Sequence, residues 1–184
     1  MGGPVELLSA ACNVWLLLVF GAAAVGKVRT SASFAAFADA VVVLGRVPVR
    51  RAGAVAKGIV ALEAATALLL LIPPLRSTGL LLATVLLAAF TTVVARALRL
   101  RVPVSCRCFG GSAGPVGPPQ LTRNALLLLG VLGAAPGALD PGHLVWQAQF
   151  TAWLGGAVAA LVLVTAEELI ALLRRPTAPT THSH

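Results

Sequence analysis

The stretch AGAVAKGIVALEAATALLLLIPP, residues 52–74, decides the fold. From Ala52 to Ile72 it is almost wholly apolar or small, and about 20 such residues in a helix cross the hydrocarbon core of a bilayer. Pro73-Pro74 then ends it, because proline carries no backbone N–H and its ring collides with the preceding turn. Glu63 lies about ten residues in, roughly 15 Å deep and near the midplane. An ionisable side chain at that depth is costly and marks a function. It must be protonated, paired with a cation or turned toward a polar cavity. Lys27 and Arg96 are the cations placed to pair with it, and a purely structural polar clamp between helices is the competing reading.

Four more segments follow the same rule: about 7–25, 77–95, 121–139 and 150–173, the last carrying Glu167 and Glu168 near its end. The chain of 184 residues is 58% apolar and 11% charged, with a mean hydropathy of +0.93, whereas a soluble domain is about 25% charged. One membrane domain, residues 1–175, accounts for it, with 176–184 a disordered tail. Between the first two spans, Phe34, Phe37, Val41 and Leu44 recur at three- and four-residue steps. This predicts a helix too short to cross, lying in or half-inserted at the interface. The expected fold is an all-α integral membrane bundle of four transmembrane helices, with a fifth C-terminal span and an interfacial half-helix.

The net charge of +8 does not indicate nucleic acid, because the basic residues sit between apolar runs where they orient the chain. With Lys57, near the start of the second span, snorkelling to the interface, all 14 except Arg76 fall in or at the edge of the first connection, the third connection or the C-terminal tail. Cytoplasmic loops carry the excess of Lys and Arg, which puts the N-terminus outside and the C-terminus inside. The first six residues hold no Lys or Arg, unlike the basic start of a signal peptide, so the first span is expected to be retained. Abundant Gly, Ala and Arg with no Tyr suggest a GC-rich bacterial coding bias, and with it a bacterial inner membrane.

The third connection contains Cys106-Arg107-Cys108-Phe109-Gly110-Gly111. Cysteines two apart can be bridged only in a small ring that departs from relaxed disulfide geometry, and strained, exposed disulfides are the labile or catalytic ones. Arg107 favours the thiolate, the species that attacks. Gly110 lets the backbone turn and Phe109 can anchor that turn in the interface. Two other readings stand beside a redox pair: coincidental reduced thiols, or half of a soft-metal site. The other soft ligands are Cys12, His143, His182 and His184, and a structural zinc site wants four ligands. Cys12 lies near the far end of the first span, roughly 20 Å from the third connection, and reads as a packed apolar residue.

Ala24-Val25-Gly26-Lys27 at the end of span one, Glu63, Cys106-Arg107-Cys108-Phe109-Gly110, and Arg123-Asn124 opening span four together resemble the methylamine utilisation protein MauE family. That family lies within the broader DoxX-like group of four-helix membrane proteins, and the resemblance covers about residues 7–139. It implies help in maturing methylamine dehydrogenase, by forming disulfides together with a thioredoxin-like partner. Cys106 and Cys108 would carry the exchange and Arg107 would tune it. Glu63, Lys27, Arg123 and Asn124 would hold or protonate the site, and a membrane quinone could take or supply the electrons. This chain departs from the family in its fifth span. Its charge pattern also puts the pair in the cytoplasm, whereas disulfides in an exported enzyme form on the other face. A soft-metal binding or transfer protein and a non-catalytic membrane scaffold remain the alternatives.

Overall fold

The computed structural model describes residues 3–100, 105–106, 114–115, 118–139 and 146–173, with side chains for 3–100, 119–139 and 146–165. The order is α1 (Pro4–Val28), α2 (Ser31–Gly45), α3 (Val49–Leu71), a single 3₁₀ turn at Pro73–Leu75, α4 (Arg76–Arg99), a two-residue strand β1 (Ser105–Cys106), its antiparallel partner β2 (Gly114–Pro115), α5 (Pro118–Leu139) and α6 (Trp146–Leu173). Among the described residues, five helices are long and apolar enough to cross a membrane. They coincide with the five spans expected from the sequence to within a few residues at most ends. The chain is an all-α integral membrane protein, and the short β1–β2 pairing is a loop detail that no sequence periodicity could announce. The expected tail, 176–184, lies outside the described residues, as do the side chains of Glu167 and Glu168.

Helix α1 is the hub, packed against α2, α3, α5 and α6. Its contact with α5 is made by small residues. A Cβ on Gly130 would come within 2.7 Å of the Trp15 ring, and one on Gly133 within 2.8 Å of the Cys12 Sγ. Close approach of this kind is how helices associate in lipid, where hydrophobic burial gives no advantage and van der Waals packing decides. Cys12 is therefore a half-buried packing residue at the α1–α5 seam, as its position in the sequence suggested. The central cluster runs from Leu16, Val19 and Phe20 on α1 to Leu70, Leu86, Leu87 and Leu127 on α3, α4 and α5.

Polar side chains at the end where α1 begins serve the backbone. A helix carbonyl accepts from the N–H four residues on, and for Leu70 that residue is Pro74, which has none. Asn13 supplies the missing donor, its Nδ2 donating to the Leu70 carbonyl at 3.1 Å. Pro136 likewise leaves a carbonyl of α5, that of Leu132, without its N–H donor. The Ser9 hydroxyl donates to the adjacent Gly133 carbonyl at 2.9 Å. The Ser77 hydroxyl donates to the Ala138 carbonyl at 3.0 Å, in the last turn of α5, where carbonyls have no helical partner.

Helix α2 has 15 residues and is too short to span. Thr30 caps its start by accepting from the Ser33 N–H at 3.0 Å. The expected apolar face is the buried one: Phe37 and Val41 pack with Ala56 of α3, with Phe34, Ile59 and Val60 around them. This helix closes the bundle at the end where α1 stops, and β1 lies beside it.

Candidate functional site

Lys27 is the next-to-last residue of α1, and Glu63 lies well inside α3. They meet because side chains on a helix tilt toward its N-terminus. In an antiparallel pair, Lys27 leans inward from the helix end while Glu63 leans outward to meet it. The Lys27 Nζ donates to both carboxylate oxygens of Glu63, at 2.6 and 2.7 Å, and each residue is 1% exposed. The sequence offered Lys27 and Arg96 as partners for Glu63. The structure chooses Lys27, and Arg96 is exposed on α4.

Two aromatic rings complete the setting of the ammonium. Its Nζ lies 5.0 Å from the Phe37 ring centre and 5.8 Å from that of Phe90. Both distances suit attraction between a cation and the negative face of a ring, an interaction strengthened by desolvation. Burying an ion pair costs several kcal/mol per charge before the mutual attraction offsets it. The short hydrogen bonds of this pair run between its own two members and not to a carbonyl freed by a proline or a helix end.

Arg123 and Asn124 open α5 and are both buried, at 8% and 2% exposure. Gln120, Arg123 and Asn124 fall at i, i+3 and i+4 and so share one helix face. With Lys27 they line a half-open cavity of about 140 Å³, whose other walls are Phe37, Val41 and Leu44 of α2, Ile59 of α3, and Phe90 and Val94 of α4. The Asn124 Nδ2 donates to the Thr91 hydroxyl at 3.2 Å. Thr91 in turn donates to the Leu87 carbonyl at 2.7 Å.

Four of the residues expected from sequence, Lys27, Glu63, Arg123 and Asn124, are thus gathered at one end of the bundle from α1, α3 and α5. Of the cysteine loop, the backbone of Cys106 is described: it pairs with Gly114 in the β1–β2 ladder, beside α2 and hence beside one wall of the cavity. Arg107, Cys108, Phe109 and Gly110 lie outside the described residues. Sequence reasoning did not find Gln120, Phe90 or Thr91. Gln120 carried a usable signal, its helical spacing from Arg123 and Asn124. Phe90 and Thr91 look like ordinary residues of an apolar span.

No curated protein and no solved structure matches the chain. The profile of the methylamine utilisation protein MauE family matches residues 5–137, from the start of α1 to the end of α5, and leaves α6 outside the match. The matched region contains the buried ion pair, the cavity and the Cys-x-Cys loop, and by this match over most of its length the chain belongs to the MauE family.

Proposed function

We propose that this protein is a membrane thiol–disulfide exchange factor that works through Cys106 and Cys108. The observation that carries the reading is the convergence of a buried ion pair, Lys27–Glu63, with Arg123 and Asn124 at the end of the bundle where the Cys106 strand sits. In the exchange, a thiolate of a dithiol partner attacks the strained Cys106–Cys108 disulfide and forms a mixed disulfide. The partner's second thiolate then displaces it, leaving the partner oxidised and the pair reduced. Arg107 favours the thiolate of its neighbours. A thioredoxin-like protein has the dithiol chemistry this requires. Membership of a methylamine utilisation family points to methylamine utilisation as the process served.

The bilayer is the bacterial inner membrane, with the N-terminus outside and the C-terminus and cysteine loop inside. Support comes from the antiparallel helices, which bring Arg29, Arg46, Arg50, Arg51, Arg96 and Arg99 to the same end as Lys27 and leave Arg76 at the other. Orientation is checked by an impermeant maleimide: the pair should resist labelling in intact cells and react in inside-out vesicles.

The chemistry is tested by single variants. Cys106→Ser or Cys108→Ser should accumulate a covalent adduct with a dithiol protein that dithiothreitol releases. If neither variant captures a partner and the double variant keeps full function, thiol exchange is excluded. Stoichiometric Cu(I) or Zn(II) binding lost in the double variant, without any adduct, would favour soft-metal transfer instead. Full tolerance of substitution at both cysteines and Glu63 would leave a scaffold.

A further inference from the structure

We propose that the cavity walled by α2, α3, α4 and α5 beside Lys27 binds the ring of a membrane quinone. Its size is the first argument. At about 140 Å³ it is close to the roughly 150 Å³ apolar cavity that accommodates benzene, so one six-membered ring fills it. The second is shape and chemistry. Phe37 and Phe90 line it, and aromatic neighbours favour a flat ring through offset or edge contacts. The remaining walls on α2, α3 and α4 are aliphatic, among them Val41, Leu44, Ile59 and Val94. The cavity is also half-open, which leaves a route for an isoprenoid tail.

The polar lining matches what a quinone offers in both redox states. Lys27, Gln120, Arg123 and Asn124 all reach the cavity. Ammonium and guanidinium groups only donate hydrogen bonds, and a quinone's carbonyl oxygens only accept them. In the reduced state the ring carries hydroxyls, which must donate. The Asn124 Oδ1 is buried and accepts no hydrogen bond from any described residue, and leaving such an acceptor unused is costly. A quinol hydroxyl is a suitable donor to it.

The purpose of the site rests on the thiol-exchange reading, although binding itself does not. After the pair has oxidised its partner, its two thiols must lose two electrons and two protons to re-form one S–S bond. A quinone accepts both electrons and both protons and becomes a quinol, so the step balances. The Cys106 strand lies beside α2, the helix that contributes Phe37, Val41 and Leu44 to the cavity.

The test uses the full chain in lipid nanodiscs and a photoreactive azidoquinone, with the labelled peptides mapped by mass spectrometry. Labelling should fall in peptides containing Phe37–Leu44 or Phe90–Val94 and be displaced by decylubiquinone or menadione. Ala40 also lines the cavity. Ala40→Phe should fill it and lower displaceable labelling at least tenfold, and Gln120→Leu should lower it several-fold. If Ala40→Phe fails to fold, as read by circular dichroism and gel filtration, Gln120→Leu decides the matter, because it replaces a partly exposed side chain. Labelling that neither quinone displaces, that palmitate alone displaces, or that a folded Ala40→Phe or Gln120→Leu leaves unchanged overturns the proposal. The double variant Cys106→Ser/Cys108→Ser should bind as well as the unmodified protein. Quinone binding without any captured partner would defeat thiol exchange and leave the site standing; a captured partner without quinone binding would do the reverse.

Discussion

At the end of the bundle where α1 begins, Ser9, Asn13 and Ser77 each donate to a helix carbonyl. At the end where α1 stops, Lys27 and Glu63 bond each other, and Arg123 and Asn124 are buried near them. The first set is neutral, and each member has a local reason. Each carbonyl lies at or beside a proline break or a helix end, where lipid supplies no donor. The second set contains charges, which are far costlier to bury than amides or hydroxyls, and it adjoins a cavity. Polar residues inside a membrane protein therefore divide by what they answer to. Those at one end answer to the backbone, and under the proposed function those at the other serve the thiol chemistry at the bundle mouth.

Substitutions can break or sharpen this contrast. The largest loss should come from Lys27→Met or Glu63→Leu alone, because each leaves one buried charge uncompensated, at about 3–5 kcal/mol. Replacing both together should restore most of that stability, a reversal that denaturant titration in mixed micelles would read. Next comes Gly156→Leu at the α1–α6 contact. A Cβ there would sit 2.6 Å from the Ala11 carbonyl oxygen, a backbone atom that cannot swing aside. Overpacking of this kind costs about 1–3 kcal/mol, and the same titration should show it. Asn13→Leu leaves the Leu70 carbonyl without a donor and should cost toward the middle of the roughly 1–3 kcal/mol expected for a stranded buried group. Partner capture at the cysteines should be untouched by it. Thr91→Val removes the acceptor for the Asn124 amide and should cost about 1 kcal/mol. Unlike Asn13→Leu, it should also weaken displaceable quinone labelling, because it loosens a wall of the cavity.

Much of the architecture was legible because the bilayer fixes a length. A run of about 20 apolar residues can do little else in a chain this greasy, so the spans and the shortness of α2 followed directly. Glu63 was legible for the converse reason: a carboxylate at that depth needs a partner, and Lys27 and Arg96 end neighbouring spans on the same face. Which cation it takes was not legible. Choosing Lys27 over Arg96 depends on helix register and on the direction in which each side chain leans, and neither is encoded in spacing along the chain. The cavity was hidden for a similar reason. Phe37, Phe90 and Gln120 come from three separate helices, and nothing local distinguishes Phe90 from the lipid-facing residues around it. The β1–β2 pairing is only two residues long, below the reach of any periodic signal. The loop residues Arg107, Cys108, Phe109 and Gly110, prominent in the sequence, fall outside the described residues, so the roles proposed for them rest on chemistry.

The central claim is that the buried charges serve the cysteine pair and not the fold. It is tested most directly by following the redox state of Cys106 and Cys108 in cells, by alkylation and gel shift, in the double variant Lys27→Met/Glu63→Leu. That variant should fold, hold its stability to within about 1 kcal/mol of the unmodified protein, and yet leave the pair locked in one redox state. A folded double variant whose cysteines cycle between dithiol and disulfide at the normal rate would contradict the claim and return Lys27 and Glu63 to a purely structural role.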